Sequence, residues 1–189
     1  MKIINKNSSI CFLITLLVFS RLIPHPPNFT PIISIVILGG ILFHTFTLTI
    51  IVFFSSMFIS DLIIGLYSGM IFTYIALTLI GLIYYFIFYK ITYKNLIFHS
   101  IFGSFIFYSV TNFFVWTYSD LYEKNIDGLI QCYLLAVPFF SNTLLSTIFF
   151  SYLTFACVDK IKNYFYKIEK NIIWNNWWNK KMKKKIFKH

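Results

Sequence analysis

Acidic side chains are scarce in this chain: six Asp and Glu stand against sixteen Lys and Arg in 189 residues. Only 12% of residues are charged, about half the share a soluble domain carries. Cysteine is rare too. Cys11, Cys132 and Cys157 lie far apart, in or beside apolar segments, with no CxxC and no Cys/His ligand spacing. That excludes a disulfide framework and a zinc site and leaves them as packing residues. GxxxxGK[ST], HExxH and GxSxG are missing. Without the first, the chain does not bind ATP through a P-loop; without the others, and with few His lacking nearby carboxylates, hydrolysis inside a membrane has little to build on. Neither an enzyme activity nor a cofactor is expected.

Long apolar runs stand in place of charge. The chain is 58% hydrophobic and 22% aromatic, with a mean hydropathy of +0.75. Runs of roughly 20 apolar residues are long enough for a hydrocarbon core of about 30 Å. An all-α integral membrane protein is therefore expected, with no room for a second folded domain. The wealth of Phe, Ile, Lys, Asn and Tyr also fits an AT-rich bacterial genome, so some aromatics reflect codon bias. Six spans are expected, over residues 9–22, 31–44, 47–65, 70–89, 96–118 and 138–158. An acidic loop, 120–127, and a short helix, 128–136, broken by Pro138, precede the last. The first span, an apolar run after Lys2 and Lys6, also has the outline of a signal peptide. Arg21 and Pro24 stand where a small-x-small cleavage site belongs, which favours an uncleaved span.

Charge sets the orientation. Threaded six times, the chain places Lys2, Lys6, Lys90, Lys94 and ten Lys of residues 160–189 on one face, and Arg21 and Lys124 on the other. By the positive-inside rule this is a six-helix transmembrane bundle with both termini cytoplasmic, in a bacterial inner membrane. Five or seven spans would separate the N-terminal Lys pair from the basic tail. Residues 1–159 form the membrane domain, and 160–189 a basic amphipathic tail. There Ile161, Phe165, Ile168 and Ile172 recur at helical spacing, followed by Trp174, Trp177, Trp178 and clustered Lys. Such a helix lies in the headgroup layer, each Lys contributing about 1 kcal/mol on anionic lipid; a frayed polar tail is the plainer alternative. No nucleic acid is expected as partner, since no domain is left to read bases.

Asp61 is the one acid clearly within a span, where an ionised carboxylate costs about 2.5–3.5 kcal/mol. It lies about 6 Å below the outer end of its helix. Capping a neighbouring helix, pairing with Arg21 and touching a ligand all remain open. Other polar residues share that depth. Asn112 and Trp116 share one helix face, as do Asn142 and Ser146. Arg21, His25 and Asn28 flank a loop stiffened by Pro24, Pro26, Pro27 and Pro31. Tyr67 and Tyr74 bracket the next outer turn. Taken singly, each Asn is explained by interhelical hydrogen bonding and each aromatic by the interfacial belt. Their concentration predicts an outer pocket whose substrate-binding residues are Arg21, Asn28, Asp61, Tyr74, Asn112, Trp116 and Asn142, with Trp116 stacking on a flat ring. His44 and His99 fall near the inner side without an acidic partner in sequence reach; a proton relay is the lesser expectation. No metal is expected.

At Arg21-Leu-Ile-Pro24-His25-Pro26-Pro27-Asn28-Phe29-Thr30-Pro31 the chain resembles a family of small, uncharacterised bacterial membrane proteins. Ser60-Asp61 with Gly65, Thr111-Asn112-Phe113 with Trp116, Gly128-Leu129 with Cys132-Tyr133, and Pro138-Phe139-Phe140 with Asn142-Thr143 extend the likeness over residues 10–155. More distantly the layout is similar to the substrate-binding S component of energy-coupling-factor vitamin transporters. That resemblance implies an outer small-molecule pocket and coupling to a separate transmembrane subunit with two ATPases. The small-xxx-small Ala motif by which such proteins meet that subunit is missing; Ser8, Ser9 and Gly39-Gly40 are weak substitutes. The expected function is substrate capture for a vitamin or other small-molecule importer. The alternative is a non-transporting scaffold subunit of a cell-envelope assembly complex.

Overall fold

The computed structural model describes residues 6–43, 45–87 and 91–160 of a chain that divides into two compact units, Met1–Thr154 and Phe155–His189. Among the described residues all regular structure is helical. In order these are α1 (Lys6–Leu22), α2 (Ile32–Phe43), α3 (Phe46–Ile64), α4 (Met70–Phe86), α5 (Leu96–Tyr118, entered by a 3-10 turn at Tyr93–Asn95), α6 (Ile126–Leu135) and α7 (Val137–Lys160). In the second unit the described residues, 155–160, are helical. The basic tail beyond Lys160, with its expected amphipathic helix, lies outside the described residues, as does His44.

Among the described residues three helices are long and apolar enough to cross a membrane: Phe46–Ile64, Tyr93–Tyr118 and Val137–Lys160. How residues are sorted between surface and interior agrees with lipid as the solvent. Phe58, Ile63, Leu66, Phe105 and Leu145 are all at least half exposed. The interior, beside its apolar core, takes Ser34, Ser56, Ser100, Ser104, Thr143, Thr147 and Ser151. In water this arrangement would forfeit about 25 cal/mol for every Å² of apolar surface left outside. In lipid there is no such penalty, and small residues at helix contacts let backbones approach. Most of their hydroxyls bond to carbonyls: Ser34 Oγ donates to Thr147 O at 3.0 Å, and Ser56 Oγ to Phe53 O at 2.9 Å.

The second expected span behaves differently from the rest. α2 has only 12 residues, about 18 Å at 1.5 Å per residue, and eight consecutive residues, Ile32 to Gly39, are buried. It packs on α3, α4 and α5. A helix apolar all round is one buried all round, by lipid or by protein; here protein does it. Gly103 permits the approach of α5, since a Cβ there would lie 2.6 Å from Ile37 Cδ1. At Gly39 a Cβ would overlap the Thr49 side chain of α3.

Two turns shape the end of the helices at which Gly65 lies. Gly65 leaves α3 at φ 115° while its N–H still donates to Asp61 O at 2.9 Å. α6 starts at Asn125, whose side chain accepts from Gly128 N at 2.7 Å. It is tied to α5 by reciprocal bonds: Tyr108 OH donates to Tyr133 O, and Tyr133 OH to Ser109 O, each at 2.6 Å. The break before α7 falls at Ala136, and Pro138 is accommodated in the first turn of α7. Asn125→Ala should lower stability by about 1 kcal/mol through loss of the cap, read as a lower unfolding midpoint in detergent, while Asn125→Asp stays close to wild type.

Candidate functional site

Asp61 sits one turn before the end of α3 and is 1% exposed. Arg21, in the last turn of α1, places Nη2 2.6 Å from Asp61 Oδ1. Tyr74 of α4 donates its hydroxyl to Oδ2 at 2.6 Å. Arg21 Nη1 donates to Met57 O at 3.1 Å and also to the Ser60 hydroxyl oxygen. Ser60 is free to accept because its own proton goes back along α3, to Ser56 O at 2.8 Å or Met57 O at 2.9 Å. Asp61 Oδ1 makes no directional hydrogen bond; the guanidinium charge beside it is its partner. A buried ion pair offsets its desolvation only when further hydrogen bonds complete it. Here they do, and the network fastens α1, α3 and α4 together.

Arg21 also faces a cavity of about 320 Å³. Its polar wall is Arg21, His25, Asn28, Thr30, Tyr67 and Thr73, and its apolar wall is Ile32, Ile33, Met57, Leu77 and Phe107. A second cavity of about 290 Å³ shares Asn28, Thr73 and Phe107 with the first and adds Thr111, Asn112, Tyr122 and Cys132. The Pro-rich loop supplies the shared corner. Asn28 adopts φ 63°, a left-handed conformation that Asn tolerates better than most residues. Its carbonyl accepts from Thr30 N at 3.0 Å and from Ser146 Oγ at 3.3 Å. Phe29 meets Phe150 edge-on at 5.8 Å. The loop is therefore docked on α7, which is the protein cover that irregular backbone needs at membrane depth.

The expected site residues separate into groups. Arg21 and Asn28 line the first cavity, and Asn28 and Asn112 the second. Asp61 lies behind Arg21 and holds the guanidinium instead of forming wall. Tyr74 gives its hydroxyl to Asp61, and its ring lines a separate apolar groove of about 460 Å³ with Phe54, Ile71, Ile75, Thr78, Leu79 and Leu82. Trp116 is turned to the following loop: Nε1 donates to Glu123 O at 2.9 Å, and the ring packs on Phe113. The Lys124 ammonium donates to Trp116 O and Ser119 O, closing α5. Asn142 is half-buried on α7 and lines neither cavity.

Thr30, Thr73, Phe107 and Tyr122 join the walls without having been expected there. Spacing carries part of the signal. Thr73 with Leu77, and Phe107 with Thr111, are four-residue pairs on one helix face. Composition carries another part: Arg21 is the sole Arg among sixteen basic residues, and a planar fork of donors is what a Lys cannot replace. Cys132 is 1% exposed, with Sγ 3.5 Å from Asn112 O. Burial pushes its thiol up, so it stays protonated and packs. His99 is buried on α5 against the edge of Tyr84, whose hydroxyl donates to His99 O at 2.7 Å. Among the described residues no three His, Cys, Asp or Glu converge as metal ligands.

No curated protein and no solved structure matches this chain. A family model does match, over residues 1–169. The chain belongs to that family, a family of unknown function designated DUF6580.

Proposed function

We propose that this chain is the substrate-capture subunit of a small-molecule importer, a six-span inner-membrane protein with both termini cytoplasmic and its site open to the outside. The pair of adjoining cavities carries the proposal. Small-molecule sites are mostly apolar clefts of about 300–1,000 Å³ with a few placed polar groups, and Arg21, Asn28, Thr73 and Asn112 are such groups against Ile33, Leu77 and Phe107. Three long helices supply half of the six spans. α1 and α4, each 17 residues, reach about 25 Å and would complete a crossing with their flanking residues; α2, enclosed by the other helices, would be the sixth. The chain would bind its ligand and reorient, driven by a separate coupling subunit and ATPases, while the basic tail holds anionic lipid.

A panel of vitamins and nucleobases titrated into the purified protein tests this. A true ligand at 100 times its Kd stabilises the protein by about 2.7 kcal/mol, a clear rise in melting temperature. Asn28→Ala and Asn112→Ala should each weaken it about tenfold, the loss of one hydrogen bond of roughly 1.4 kcal/mol. If no panel member shifts the melting curve, capture is refuted.

One observation favours a scaffold subunit instead: Asp61 is held entirely inside the bundle by Arg21 and Tyr74. Deleting residues 160–189 separates the two, because capture should survive the deletion and docking of a cytoplasmic partner should not.

A further inference from the structure

We infer that the site takes an uncharged, acceptor-rich ligand, bearing a carboxamide or lactam carbonyl in place of a carboxylate, because Arg21 reaches the cavity with its charge already cancelled. This rests on the capture function proposed above and names the ligand class for the same cavities. An arginine in a pocket ordinarily points to an anion. Here the anion is built in.

A guanidinium has five N–H bonds. In Arg21 two on Nη1 go to Met57 O and Ser60 Oγ, and one on Nη2 faces Asp61. Nε–H and the second Nη2–H remain for a ligand. The side chain of Arg21 is 14% exposed and lines the cavity, and that of Asp61 is 1% exposed and does not, so the counter-charge stays behind the wall. No Asp or Glu lines either cavity. The start of α2, at Ile32 and Ile33, opens on the same space, and the leading N–H groups of a helix have no acceptor within it. These add donors and a partial positive charge of roughly half a unit. The wall is thus rich in N–H, with Arg21 its one Lys or Arg and that full charge already answered by Asp61.

A carbonyl oxygen suits that wall. It takes the spare N–H groups and loses little hydration. A carboxylate would shed the hydration of a full charge, share a cation that Asp61 already holds, and sit within the field of a second carboxylate. The placement of Asp61 therefore discriminates between two ligands of the same shape.

Matched pairs test this in the full-length protein in lipid nanodiscs: nicotinamide and nicotinate, biotinamide and biotin, panthenol and pantothenate. Titration calorimetry reads both members of each pair under one buffer condition. The uncharged member of the pair that binds should be at least about tenfold tighter, a difference near 1.4 kcal/mol. Equal or tighter binding of the acid overturns the inference and leaves capture standing. Binding of no member overturns capture itself, and the inference with it. Asp61→Asn exposes the Arg21 charge and should move the preference toward the acid by about tenfold or more; an unmoved preference also overturns the inference. The wild-type comparison decides even where that variant does not fold.

Discussion

Arg21→Ala is expected to destabilise the protein by about 3–5 kcal/mol, the cost of leaving a buried charge without its partner. Asp61 is 1% exposed and Tyr74 supplies only a neutral hydroxyl, so nothing else can take over the guanidinium's role. Two further losses come with it. The Ser60 hydroxyl and the Met57 carbonyl each lose a donor, and α1 loses its side-chain tie to α3. Asp61→Asn should cost less, because an amide can still meet both Tyr74 and Arg21. The double change Arg21→Met with Asp61→Leu removes both charges, and its cost should fall well below the sum of the single changes. Unfolding midpoints in detergent for the wild type, Arg21→Met, Asp61→Leu and the double change complete the cycle. Additive costs would mean that the two residues do not act as a pair.

Gly103→Leu is expected to cost about 1–3 kcal/mol or more by overpacking. Its Cβ would lie 2.6 Å from Ile37 Cδ1 and 3.2 Å from Cγ1, and Ile37 is 2% exposed, so the neighbour cannot swing aside. Gly103→Ala should cost less, and Ile37→Val should relieve it. Gly40 is the internal control. No atom lies within 4 Å of a Cβ there, so Gly40→Ala removes only glycine's helix penalty and should raise stability by about 0.5–1 kcal/mol. If the two glycines respond alike, close packing of α5 on α2 does not govern the fold.

Much of the helical framework was legible as runs of apolar residues between polar stops. Residues 96–118 form one uncharged, mostly apolar stretch between Asn95 and Ser119, and α5 has those limits. The environment of each run was not legible. α2 and α3 are both strongly apolar, yet α2 is enclosed by protein and much of α3 is not. Only the assembled neighbours distinguish the two.

The site divides along similar lines. Asp61 stood out because a charge in an apolar run is costly, and pairing with Arg21 was one of the possibilities open to it. Which of the two would face the cavity depends on the rotation of α1 against α3, and helices apolar on every side define no rotation in sequence. Trp116 was placed by its depth and by the helix face it shares with Asn112. A single local bond, from Nε1 to Glu123 O, turns the ring toward the loop. Thr73 and Phe107 carry no charge or unusual context, so nothing but the fold marks them.

The enclosure of α2 bears on how the polypeptide is made. Synthesis proceeds from the N-terminus, so on the proposed threading α2 emerges before α3, α4 and α5, which pack on it, and before α7, to which Ser34 bonds. A segment of about 18 Å cannot bridge a bilayer of about 30 Å unaided. α1 and α2 would have to wait in a provisional arrangement, and biogenesis would finish only when later helices close around the earlier pair.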